Sequence, residues 1–148
     1  MKPSTYLEVI CMPLLHAFEA DPTEISKASS AVVSLGQFAD YLAADRNISK
    51  RAARKLIRAV FPQFDLVSDI ANASKHFELT DPQKTSRPGY SITHLKIGKS
   101  AAFTDGTFFS DGTSWLESTE VIRADFSGDY VDLLYLCRSC FASIETIA

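Results

Sequence analysis

The chain of 148 residues has no long apolar run, and that absence excludes a helical membrane span. The longest apolar stretch, Val9 to Leu15, is interrupted by Pro13 and flanked by Glu8, His16 and Glu19. It is too short to cross a bilayer, and it lacks the charged lead-in of a secretory leader. Cysteine is scarce. Three residues, an odd number without the spacing of a secreted scaffold, point to a reducing, cytoplasmic setting. A strong charge of one sign is also missing. The formal net charge of −3 argues against a general polyanion binder or a membrane-surface protein, so any electrostatic function must come from local clustering. No phosphate-cradling glycine loop, serine nucleophile elbow or zinc-protease motif is present.

What is present is an ordinary globular composition, 46% hydrophobic and 22% charged, in a length that suits one domain spanning residues 1–148. Apolar residues at three- and four-residue spacings predict a helix from about Ser4 to Ala20, which Pro13 should kink or break. Asp21-Pro22-Thr23-Glu24 reads as a helix start with Asp21 as the cap. The helix it opens should run to about Asp45 on a stripe of Ile25, Ala28, Val32, Leu35, Ala39 and Leu42. Gly36 weakens that helix unless it permits a close helix–helix approach. After a break at Arg46-Asn47-Ile48, Ser49 should cap a helix from Lys50 to Phe61. Pro62 ends it or starts the next, which spans about Gln63 to Leu79 with Leu66, Val67, Ile70, Ala71, Ala73 and Phe77 inward.

Thr80 to Tyr90 reads as a loop. The period then changes to two around Ile92 to Ile97, and Ala101–Thr104, Thr107–Ser110 and Thr113–Phe126 also look extended. Asp105-Gly106 and Asp111-Gly112 are both good hairpin turns, and only one need close a hairpin. Asp129 is expected to cap a last helix, Tyr130 to about Ile147, apolar on more than one face and hence largely buried. The order of helices, then strands, then one helix predicts an α+β fold. Its parts would be an N-terminal antiparallel bundle of four helices, a small antiparallel hairpin or meander, and a buried C-terminal helix.

Two constellations carry candidate chemistry. Asp65, Asp69, Asn72 and His76 fall on one face of the fourth helix. An imidazole beside an amide and a carboxylate can move a proton or hold a phosphate, with Lys75 adding charge. Equally, Lys75 and His76 lie where cations simply complement the carbonyl end of a helix. The second constellation is basic. Lys50, Arg51, Arg54, Lys55 and Arg58 follow one another without an intervening acid, and Arg51, Arg54, Lys55 and Arg58 share a face. Such a stripe suits phosphate contacts, an acidic protein surface, or plain solvation. Lys50 and Arg51 occupy the first turn, where positive charge is unfavourable, so an acid or an anion should offset them. Cys137-x-x-Cys140 sits inside a helix and has neither the dipole advantage of a redox motif nor the second pair a zinc site wants. It reads as buried, apolar cysteine. No metal and no cofactor is expected.

The Asp69, Asn72-x-x-Lys75-His76 segment, after a long capped helix, resembles a group of small bacterial and phage proteins and is loosely similar to the HEPN superfamily. That resemblance covers about residues 22–79. It implies a helical bundle, RNA as the partner, and a dimer interface at the site. Its ribonuclease members use an arginine and a histidine on one helix; here Asp69-Ile70-Ala71 stand where the arginine would be. His76 carries over as the acid–base group, with Asn72 as its orienting partner. Three functions follow as expectations: a binding or regulatory module, a metal-independent ribonuclease acting through His76 with Asn72 and Asp69, or a homodimeric interaction module.

Overall fold

The computed structural model describes residues 1–75, 95–99, 120–126 and 129–148. Its N-terminal helical stretch comprises α1 (Pro3–Tyr6), a π-helical turn (Leu7–Cys11) and α2 (Met12–Ala20). Pro13 does not break it. The Met12 amide instead donates to the Leu7 carbonyl, five residues back, so the disturbance takes the form of one wide turn just ahead of the proline.

The long helix α3 (Ile25–Asp45) ends where periodicity places it, but its cap differs from expectation. Glu24 is the N-cap. Its carboxylate accepts from the Ser26 amide at 3.2 Å and from the Ser26 hydroxyl at 2.8 Å. Asp21 instead closes α2 and pairs with Lys27 at 3.0 Å. Ala28, Val32, Leu35, Ala39 and Leu42 are buried, whereas Ile25, in the first turn, is exposed. Tyr6 locks the first helical stretch onto α3. Its hydroxyl donates to the Ser34 carbonyl at 2.9 Å, and its ring stacks on Tyr41 at 3.8 Å.

Asn47 ends α3 with φ of 51°. The Ile48 amide donates to the Ala43 carbonyl and the Asn47 amide to the Ala44 carbonyl, a Schellman closure in which asparagine takes the left-handed position. Ser49 then caps α4 (Lys50–Val60), accepting from the Ala52 amide at 3.2 Å. The fifth helix, α5 (Phe64–Lys75), buries Leu66, Val67, Ile70, Ala71 and Ala73 as its pattern requires. It packs against α3 at Gly36, where an added Cβ would sit 2.8 Å from that of Ala71. The close approach expected of this glycine is therefore real.

The strands β1 (Leu95–Lys99), β2 (Glu120–Phe126) and β3 (Asp129–Asp132) form an antiparallel sheet in that order. Leu95 pairs with Ala124 and Ile97 with Ile122. On the other side Val131 pairs with Ala124 and Tyr130 with Asp125. This corrects the last helix. Asp129 is not its cap, because Tyr130 and Val131 continue the ladder. Asp132 caps α6 (Leu133–Glu145) instead, accepting from the Tyr135 amide at 3.1 Å. Leu133, Leu136, Cys137, Cys140 and Ile144 are buried along one stripe and Tyr135 is exposed, so α6 has a single inner face. It packs on α3 and β2 and joins the helical and sheet cores.

The described chain is thus mostly helical, with a small antiparallel sheet and a closing helix, an α+β arrangement. No helix among the described residues is long and apolar enough to cross a membrane. The part of the expected Gln63–Leu79 helix beyond Lys75, the loop from Thr80 to Tyr90, and the candidate strands Ala101–Thr104 and Thr107–Ser110 lie outside the described residues. So do both Asp-Gly turns.

Candidate anion-binding face

Helix α4 turns only Ala53 and Ile57 fully inward, which leaves most of its circumference to solvent. Its cations divide into two groups. The terminal ones are neutralised within the protein. Lys50 pairs with Asp40 of α3 at 3.0 Å, and Arg58 pairs with Asp65 of α5 at 3.0 Å. The Asp40 contact supplies the acid that a cation in the first turn calls for. The middle ones, Arg51, Arg54 and Lys55, are exposed, and among the described residues they have no ion-pair partner. They lie three and four residues apart, so their side chains adjoin on the outer face.

The polar stripe on α5 is brought beside this face at one point, the Arg58–Asp65 pair. Further along α5, Asp69 is half-buried and Asn72 exposed. Lys75 ends the helix, but its side chain lies outside the described residues, as does His76. The proton-transfer arrangement of Asp69, Asn72 and His76 thus has only its first two members in the described part. His16 is exposed on α2, and His94 lies outside the described residues.

The cysteines form the opposite environment. Cys11, Cys137 and Cys140 are free and buried. Burial pushes the Cys11 thiol up to about 11 and raises both thiols of the C-x-x-C well above the ordinary range. At neutral pH all three are protonated, which makes them poor nucleophiles and poor metal ligands. Among the described residues, no group of three His, Cys, Asp or Glu side chains is placed to hold a metal ion.

One arrangement escaped the sequence reading. Arg123 of β2 lies over the Tyr130 ring of β3, its guanidinium carbon 4.2 Å from the ring centroid. Gly98 of β1 makes room for it, since a Cβ there would come within 2.7 Å of Arg123 Nε. Treating Tyr130 as helical hid this contact. The glycine inside a strand pattern was the signal that a neighbour approaches closely.

The chain matches no protein-family model, no curated protein and no solved structure.

Proposed function

We propose that the protein is a binding module whose α4 contacts the phosphate backbone of a nucleic acid, with RNA the first candidate. One observation carries this reading. Arg51, Arg54 and Lys55 stand together on an exposed face without an acidic partner among the described residues, although nearby acids neutralise Lys50 and Arg58. Charge is concentrated here in a chain whose formal net charge is −3. A cation in the first helical turn is locally unfavourable, and an anion bound from outside would offset Arg51 there. Contacts of this kind hold phosphates without reading bases, and the complex weakens as salt rises.

The test is a charge reversal. Fluorescence anisotropy with labelled single-stranded RNA and duplex DNA at low salt should show binding that Arg51→Glu weakens at least tenfold. The same variant should be as stable as the wild type or more so, by roughly 0.3–1 kcal/mol, because an acid in the first turn complements the helix dipole. Absence of binding to either probe, or binding that survives the reversal, overturns the reading. An acidic protein surface would then be the partner to examine.

A further inference from the structure

The α4 face is bounded at both ends by acids, and those ends fix its length. Arg51 to Lys55 covers about 6 Å of helix axis at 1.5 Å per residue. Including Arg58 would lengthen it to about 10 Å along the same face. A nucleic-acid strand in a duplex carries one charge per roughly 3.4 Å of axis, so the shorter set meets about two phosphates and the longer about three. Arg58 is the residue that decides between them. Its guanidinium is held 3.0 Å from the carboxylate of Asp65, itself fixed in the first turn of α5. At the other end, Asp40 takes Lys50 out of the set at the same distance.

We infer that Asp65 sets the footprint of the α4 face, by holding Arg58 out of contact with the ligand and restricting the site to a short stretch of phosphate backbone. This rests on the reading of α4 as the nucleic-acid contact. The physical basis is competition for a single guanidinium. A carboxylate on a neighbouring helix is permanently local, whereas a phosphate must displace it from the guanidinium before its own counterions are released. The partner fitted by such a face is a bend, end or short exposed segment of a strand, not a long duplex tracked along its length.

The experiment reads the slope of log Kobs against log salt concentration for a labelled single-stranded RNA and for a duplex DNA. A contact with about two phosphates predicts a slope of about −1.4 on the single strand and about −1.8 on the duplex. Asp65→Asn removes the competing charge with little change of shape. It should tighten binding several-fold at low salt and steepen the slope by about 0.7 on the single strand or 0.9 on the duplex. Arg58→Gln should leave the wild-type slope unchanged, because Arg58 does not reach the ligand while Asp65 holds it. A slope that Asp65→Asn does not steepen, or that Arg58→Gln flattens, overturns the inference. If Arg51→Glu still weakens binding at least tenfold in that case, the α4 contact stands and only the role of Asp65 fails. If the wild type binds neither probe, both readings fall together.

Discussion

Helices α3 and α4 are neighbours in the chain, yet they use their surfaces in opposite ways. Of the 21 residues of α3, nine are buried, and they face α2, α4, α5 and α6. Of the 11 residues of α4, two are buried. The first helix is constrained by packing at almost every turn. On the second, packing dictates Ala53 and Ile57, while the identities of Arg51, Arg54 and Lys55 are set by nothing inside the described fold. The difference separates residues that make the structure from residues the structure merely displays. A row of charge on the displayed helix is where function is to be sought.

The contrast is broken most directly in the core. Phe38, wholly buried on α3, should cost about 3–5 kcal/mol when changed to alanine, through lost burial and the cavity left behind. Denaturant unfolding would show this as a lowered midpoint. A loss under 1 kcal/mol would mean that α3 is not the packed spine described above.

The next effect comes from pH. Cys11 has a folded-state pKa of about 11, above its ordinary 9.0, because burial disfavours the thiolate. The stability linked to its proton is fully present below pH 9 and is lost as pH rises towards 11. By pH 11 that loss should reach roughly 2 kcal/mol for this thiol alone. Comparing wild type with Cys11→Ala from pH 8 to 11 separates this thiol from the groups the two proteins share. Parallel alkaline profiles for the two would remove the argument.

A smaller effect sharpens the comparison at the α3–α5 contact. Alanine normally stabilises a helix relative to glycine by about 1 kcal/mol. At Gly36 the sign should reverse, because the new methyl meets the Ala71 Cβ at 2.8 Å and a helix backbone has to move. A net loss of about 1–2 kcal/mol is expected, since overpacking outweighs propensity. Adding Ala71→Gly should recover part of it in a double-mutant cycle, and strict additivity would show that the two residues do not oppose each other.

Much of the helical part is legible in the sequence. Ser49 is the cap its position suggests, α3 ends at Asp45, and Gly36 marks a close approach. The misreadings are equally specific. Asp21 looks like a better cap than Glu24, but α3 starts one turn later and Asp21 turns to Lys27. Asp129 and Asp132 are both capping residues by type. Only the pairing of Tyr130 and Val131 with β2 shows that the helix begins after the second. At the candidate site, the sequence displayed five cations and called for an acid or anion near Lys50 and Arg51, but it did not show that Lys50 and Arg58 are the two that acids neutralise. Their partners, Asp40 and Asp65, lie 10 and 7 residues away on other helices.

By itself, the sequence determined the elements, because helix periodicity, caps and breaks act over a few residues of continuous chain. Only the tertiary structure decided which cations remain available, which strand Tyr130 joins, and how Arg123 comes to lie across it. Coulomb attraction and cross-strand pairing depend on separation in space. That separation is set when α3, α5 and α6 pack together and bring distant acids and strands within a few ångströms.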